Sequence, residues 1–297
     1  MRQKILIAGG AGFLGMTWAK VSLDQFEVHV TLHQNKSAMA GVVSHQIDLG
    51  DASAVEKLIR EVSPDIIVNT AGLTNVDKCE QFPDSAYQCN VGITENLAKY
   101  SAQYGVKFVH ISTDHLVDGT KQLNSESDEV HPLNVYADTK RKAELACLQL
   151  NPDALIIRTN FFGKSDAVKG SFTDWIYNEL KQKNSVMLAA DVYFSPIYAP
   201  ALVKAAHAAI SKSAKGILNI AGKERLSKYD FGIQFAEFFG LDPSLIIRPE
   251  VESKKTKVKR PNEMALNLEK FEHLTEVKID SLKTYFKLLK NELEGKL

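Results

Sequence analysis

The stretch KILIAGGAGFLG, residues 4–15, constrains this chain more than any other. Lys4 to Ala8 reads as a buried strand, glycines follow at 9, 12 and 15 with the set 10, 12 and 15 overlapping, and apolar spacing from Phe13 to Leu23 is helical. Glycines between a strand and a helix permit a tight turn and a close backbone approach, and the helix N-terminus beyond them favours an anion. Gly9, Ala11, Gly12, Phe13, Leu14 and Gly15 are therefore candidates to cradle a pyrophosphate. The same glycines exclude a signal peptide or membrane span behind Arg2 and Lys4. They would break an apolar helix, and the uncharged run from Ile5 to Ala19 falls short of the roughly 20 residues a span requires.

The strand–helix rhythm continues. Strands are predicted at Phe26 to Leu32, Val42 to Ile47, Asp65 to Asn69, Lys107 to Ser112 and Ala154 to Arg158. Helices are predicted at Ala52 to Val62, Asp84 to Tyr104 and Leu133 to Leu150. Near-continuous apolar strands, each leading to a helix, imply a parallel sheet covered on both faces. The expected fold is a doubly wound α/β domain of Rossmann type over 1–159. A smaller mixed α/β substrate lobe is expected over 160–297, with helices near 171–183, 199–212, 227–239 and 280–293, a strand at Gly216 to Ala221, and some segments returning to the main core.

Composition removes several function classes. The 297 residues carry 36 Lys+Arg against 36 Asp+Glu and are 8% aromatic, which argues against a nucleic-acid binder and a disordered chain. Three cysteines without close spacing indicate neither a disulfide framework nor a zinc cluster, and no metal site is expected. A reducing cytoplasm fits, without a membrane partner; a homodimer is left open. The balance is between halves: residues 1–150 hold 13 basic against 18 acidic residues, and 151–297 hold 23 against 18. The basic run Lys254 to Arg260 lies in the positive half, and there Arg260 is the candidate contact for a substrate diphosphate.

A dinucleotide site usually carries an acid after the second strand to hold the adenosine ribose. Here His33, Gln34, Asn35 and Lys36 stand there, so His33 and Lys36 could meet a 2′-phosphate, and NADP(H) is expected over NAD(H). Asp48 and Leu49 close the third strand, and Asn69 to Gly72, including Ala71, close the fourth, at the sheet edge where ligands bind. Asp48 has an alternative as a helix cap. Nine Tyr and 29 Lys in 297 residues give about one Tyr-x-x-x-Lys pair by chance, and the chain has two. Tyr177 with Lys181 sits in an amphipathic helix and is taken as packing. Tyr136 with Lys140 follows the fifth strand, on one helix face, where Lys140 could hold ribose hydroxyls and lower the phenol pKa. Ser112 and Thr113 offer a hydroxyl at the fifth strand's end. An oriented phenol and a hydroxyl donor are what proton transfer alongside hydride transfer requires.

Together these residues resemble the extended short-chain dehydrogenase/reductase superfamily. The blocks NTAGLTNVDKCE (69–80), STDHLVDG (112–119), PLNVYADTKRKAE (132–144), RTNFFG (158–163) and RPNEMALNLEK (260–270) narrow the resemblance to the dTDP-4-dehydrorhamnose reductase family. The resemblance implies NADPH-dependent reduction of the 4-keto group of a nucleotide-diphospho-4-keto-6-deoxy sugar. Thr113 would polarise the carbonyl, Tyr136 would donate the proton, and Lys140 would hold the ribose and tune Tyr136. Asp114, His115, Asn160 and Phe161 would line the sugar pocket, the loop Asn160 to Gly163 flanking the nicotinamide. His115, Phe161 and Ala137 replace the family's usual Tyr, Trp and Gly, which alters the pocket walls and leaves the catalytic set. The alternatives are an NADP-binding regulatory subunit of the same fold, or a nucleotide-sugar epimerase or dehydratase. Against the last, Thr113 is followed by Asp114 and His115 where dehydratases carry Asp-Glu.

Overall fold

A computed structural model of the chain describes residues 2–33, 39–167, 170–249 and 258–295. The first half alternates as β1 (Lys4–Ala8), α1 (Phe13–Ser22), β2 (Glu27–Leu32), β3 (Val42–Gln46), α2 (Ala52–Val62), β4 (Ile66–Asn69), α3 (Val76–Gln81), α4 (Pro83–Tyr87), a π-helical turn (Gln88–Gly92), α5 (Ile93–Gln103), β5 (Lys107–Ile111), α6 (Val135–Leu150) and β6 (Leu155–Arg158). The second half runs β7 (Phe161–Phe162), α7 (Phe172–Lys181), β8 (Val186–Met187), β9 (Tyr193–Phe194), β10 (Ile197–Tyr198), α8 (Ala199–Ser211), β11 (Gly216–Asn219), β12 (Leu226–Ser227), α9 (Lys228–Phe239), β13 (Ile246–Ile247), α10 (Glu269–Thr275) and α11 (Leu282–Leu293).

Seven parallel strands form the main sheet in the order β11-β6-β5-β4-β1-β2-β3. Alternate residues of each strand face opposite sides, so a buried sheet needs apolar residues at every position. Ile5, Ile7, Val28, Val30, Val68 and Val109 face one side, against Trp18 of α1 and Leu202 and Ala206 of α8. Leu6, Ala8, Ile67, Phe108 and Ile156 face the other, against Val55 and Ile59 of α2, Leu97 of α5 and Cys147 of α6. This is the doubly wound α/β architecture. Gly216–Asn219 becomes the seventh strand, paired on β6 from Gly216 opposite Leu155 to Asn219 opposite Arg158.

The rest of the second half packs as short strand pairs, β7 with β10, β9 with β12 and β8 with β13, around Phe162, Phe231, Phe235 and Phe286. Their rings meet edge to face at centroid distances of 5.3–5.8 Å, favourable aromatic geometry. This cluster is continuous with the α1 and α8 face of the sheet.

The helices α3 and α10 were not expected, and two expected helices differ in extent. The helix predicted over 84–104 begins at Pro83 and is interrupted by the π-helical turn Gln88–Gly92. The helix predicted from Leu133 begins at Val135, because the Asn134 side chain caps it by accepting the Ala137 N–H at 2.9 Å.

Candidate active site

Most candidate groups lie beyond the carboxyl ends of β1, β4, β5 and β6, around the β1–β4 junction where the strand order reverses and an open α/β sheet leaves a crevice, with His33, Asp48 and Leu49 just past β2 and β3. At β1, Gly9 takes φ +87°, and an added Cβ would lie 2.8 Å from the Ala71 nitrogen. At Gly15 a Cβ would come within 2.2 Å of the Gly9 carbonyl oxygen, so that glycine exists for helix–turn packing. Gly12 differs: its Cβ would meet only the Gly9 oxygen, at an ordinary 3.4 Å. Gly12 is also the N-cap of α1, and no side chain caps that helix or places an acid in its first turn. An open helix N-terminus beside a glycine that the fold itself does not require fits an anionic ligand laid across the turn.

Two cavities meet at Thr70, Ala71 and Gly72. The first, about 420 Å³, is lined by Gly9, Ala11, Gly12, His33, Asp48 and Leu49. The second, about 260 Å³, takes in Leu14, Thr113, Asp114, His115, Tyr136, Lys140, Asn160 and Phe161. Phe13 packs its ring on Phe161 at 5.5 Å, bridging α1 to the second half. Lys36 lies outside the described residues, as does 254–257 of the basic run. Asp48 is no helix cap: it accepts the Gly50 N–H at 2.9 Å, and Asp51 caps α2. Arg260 pairs with Asp77 at 2.9 Å and stands close enough to act on His115.

The structure separates Ser112 from Thr113. Ser112 is buried and donates to Glu144 Oε1 at 2.7 Å, within an ion pair that Glu144 makes with Arg158. Thr113 is the hydroxyl beside the phenol of Tyr136. Burial pushes that phenol well above its ordinary 10.0, and the Thr113 hydroxyl pulls it back. Lys140, one helical turn on, lines the same cavity as that phenol. Its Nζ donates to the Ile111 carbonyl at 2.6 Å and faces His110 Nε2 at 3.2 Å, and Thr113 is the group that opposes the rise. Burial lowers Lys140 itself to about 8, against the opposing influence of Glu144. Tyr177 is packing, as read from the sequence: its ring meets Phe239, and Lys181 sits over it.

Asp114 is 2% exposed and accepts the Asn160 side-chain N–H at 2.8 Å; burial raises it to about 6. His115 stands edge-on to Tyr136 at 5.7 Å, and burial, with Lys228 and Arg260 nearby, lowers it to about 3. A histidine so depressed stays neutral in the physiological range. Among the described residues its Nδ1, and Thr159 Oγ1 beside it in the cavity lining, are buried without a hydrogen-bond partner.

Two contributors escaped the sequence reading. Lys228, at the first turn of α9, brings a cation to Asp114 and His115 from the far half of the chain. Asn90, in the π-helical turn, accepts the Leu73 N–H at 2.7 Å and donates to the Leu73 carbonyl at 3.1 Å and to Thr139 at 3.0 Å. It thereby locks the Gly72–Leu73 turn between the cavities. A signal for it lay in the asparagine amid an otherwise helical run, since π-turns cluster at functional sites. Among the described residues no group of three or more His, Cys, Asp or Glu could hold a metal, and no helix is long and apolar enough to cross a membrane.

Comparison with known proteins follows the same outline. Residues 3–294 match the family described as RmlD substrate binding domain. The dTDP-4-dehydrorhamnose reductase of Aggregatibacter actinomycetemcomitans is 30% identical over 238 residues, covering 77% of each chain. The methionine adenosyltransferase 2 subunit beta of Rattus norvegicus is 30% identical over 282 residues, 92% of this chain and 82% of that one. A crystal structure of a dTDP-4-dehydrorhamnose reductase from Clostridium acetobutylicum superimposes with a TM-score of 0.84 at 28% identity, covering 98% of this chain and all of the other. The chain therefore belongs to the RmlD substrate binding domain family, the dTDP-4-dehydrorhamnose reductase-like branch of the extended short-chain dehydrogenase/reductases.

Proposed function

We propose that this protein is an NADPH-dependent reductase of the 4-keto group of a nucleotide-diphospho-4-keto-6-deoxy sugar. The observation that carries the reading is the meeting of Thr113, Tyr136 and Lys140 in one cavity, continuous with the cavity over the glycine turn. Gly9, Ala11, Gly12 and the α1 N-terminus would hold the pyrophosphate, Asp48 and Leu49 would flank the adenine, and Lys140 would hold the nicotinamide ribose. The absence of an acid after β2, with His33 in the cavity wall, supports NADP(H) over NAD(H). Bound there, the dinucleotide supplies a hydride.

The chain's own groups do the rest. The Thr113 hydroxyl donates to the carbonyl oxygen, and the Tyr136 phenol, kept protonated by burial, gives its proton to that oxygen as charge develops. Asp114 and Asn160 orient the sugar, His115 and Phe161 wall it, and Lys228 with Arg260 brings positive charge for the diphosphate.

The test is spectrophotometric: NADPH oxidation with dTDP-, GDP-, UDP- and CDP-4-keto-6-deoxy sugars, for the native protein and Tyr136→Phe. One sugar nucleotide should drive oxidation, and the variant should lose about 10²–10⁴-fold in turnover while keeping its cofactor affinity. NADPH binding with no oxidation by any of them would overturn the reading. It would favour a second, that of a cofactor-holding partner subunit, which the 30% identity to a methionine adenosyltransferase beta subunit supports.

A further inference from the structure

A threonine hydroxyl has one proton and two lone pairs, and at Thr113 the neighbours of each can be named. The proton goes to Asp114 Oδ1 at 3.3 Å, and one lone pair receives the His115 backbone N–H at 3.2 Å. The other lone pair is left for the phenol of Tyr136, with which Thr113 shares a side-chain hydrogen bond. In that bond the phenol is the donor, because Thr113 has no second proton to give. Asp114 is fixed from its far side: Oδ2 accepts the Asn160 Nδ2–H at 2.8 Å, so Oδ1 is the oxygen that meets Thr113.

This arrangement belongs to an ionised Asp114, and it turns both hydroxyl protons away from a substrate carbonyl. The Tyr136 proton is aimed at Thr113, and the Thr113 proton at Asp114. One proton added to Asp114 reverses both. Oδ2 stays an acceptor for Asn160, so the added proton lies on Oδ1 and is donated to Thr113 Oγ1. Both lone pairs of Oγ1 are then filled, by Asp114 and by the His115 N–H. The Thr113 proton swings outward, and the phenol, with no lone pair left to take its proton there, is free to donate elsewhere.

We propose that Asp114 is a positioning residue for the proton donors of the site: its acid form turns the Thr113 and Tyr136 hydroxyls toward the substrate carbonyl, and its carboxylate form turns them away. The consequence for turnover rests on the reductase reading; the reversal of the two hydroxyls does not. Burial holds Asp114 up at about 6, against the pull of Asn160, Lys228 and Thr113, so both forms are populated close to neutrality. The other titratable groups facing it are His115, whose Nε2 lies 3.9 Å from Oδ1, Tyr136 from α6 and Lys228 from α9, and Arg260 acts on both His115 and Lys228. His115, lowered to about 3, does not change charge in this range.

The test reads the phenol by NMR of [ζ-13C]tyrosine-labelled, ligand-free protein, with Tyr136 assigned through Tyr136→Phe. Its signal should move between pH 5 and pH 8, with a midpoint near 6, as the phenol changes from acceptor to donor. Thr113→Val removes the hydroxyl that relays the change and should abolish the movement, and Thr113→Ser should keep it; if Thr113→Val does not fold, Thr113→Ala takes its place. In Asp114→Asn, Asn160 holds the new amide's oxygen and leaves its NH₂ to donate to Thr113 at every pH, so the signal should stay level. A native signal that does not move, or one that moves as far without the Thr113 hydroxyl, would overturn the proposal. In turnover, kcat with the nucleotide sugar should fall about ten-fold per pH unit above the midpoint in the native protein, and far less in Asp114→Asn. An equal fall in both would overturn it as well. A protein that oxidises no NADPH would sink the reductase reading and leave the NMR result standing.

Discussion

Replacing Glu144 by glutamine should cost the fold about 3–5 kcal/mol, the usual price of removing one partner from a buried ion pair. The magnitude follows from what the carboxylate holds. Glu144 is fully buried; Oε1 accepts from Arg158 Nε at 2.9 Å and Ser112 Oγ at 2.7 Å, and Oε2 accepts from Arg158 Nη2 at 2.8 Å and Arg141 Nη1 at 3.1 Å. Arg158 is itself only 4% exposed, so glutamine leaves a buried guanidinium facing an amide NH₂. An exposed pair such as Lys57–Glu61 is worth under about 1 kcal/mol. Urea unfolding reads the difference as a midpoint lower by about 1 M, given a slope of a few kcal/mol per molar. The double variant Glu144→Leu with Arg158→Met removes both charges and should recover most of the loss, leaving the Ser112 hydroxyl without its acceptor. If Glu144→Gln cost less than about 1 kcal/mol, or the double variant fell by the sum of its two singles, the buried-charge argument would fail.

The two glycines of the turn should separate fold from ligand. Gly15→Ala drives a methyl against the Gly9 backbone oxygen and should destabilise by about 1–3 kcal/mol or more, seen as a lower thermal midpoint. Gly12→Ala meets nothing closer than 3.4 Å and should leave that midpoint unchanged while weakening NADPH binding at least about ten-fold; equal Kd values for Gly12→Ala and the native protein would refute the cradle. Asp114 supplies the pH test. Its folded pKa of about 6 lies above its ordinary 3.8, so between those values the folded state binds more protons and stability falls as pH rises. Below pH 4 the penalty vanishes, and above pH 6 it is complete, on the order of 2–3 kcal/mol. The stability of Asp114→Asn relative to the native protein should therefore improve across that window, and parallel urea midpoints from pH 4 to pH 7 would show the argument wrong.

The inner strands of the main sheet were legible because they are buried on both faces, so pattern and burial coincide: KILIA and DIIVN are apolar nearly throughout, and each feeds a helix of clear period. The interruption at Gln88–Gly92 was not, since a π-turn keeps the apolar rhythm and differs only in one inserted residue, which Asn90 exploits to reach Leu73. β11 was read as a strand, but its place in the main sheet depends on α8 packing against α1, a long-range contact that no local window contains.

In the site, what was legible was what one element presents alone. The glycine turn and the Tyr136–Lys140 spacing each lie within one helical or turn unit, so sequence distance fixes spatial distance. Lys228 lies 114 residues from Asp114 and reaches it only because α9 starts beside the pocket. The tuning of Tyr136 and Lys140 was least legible, because it turns on direction as well as distance. Lys140 stands on the right face one turn after Tyr136, yet its nitrogen is drawn to the Ile111 carbonyl and to His110. His110 in turn looks from sequence like one more residue of a buried strand. Period 2 explains this: His110 shares a sheet face with Phe108, toward α5 and α6, while Ile111 faces the opposite side. A polar residue on a fully buried strand face must be satisfied from within, and here Asn69 and Lys140 satisfy it. A histidine at an inward position of a parallel strand, under the helix that carries a motif lysine, is thus a signal that such a sequence carries and that a search for motifs passes over.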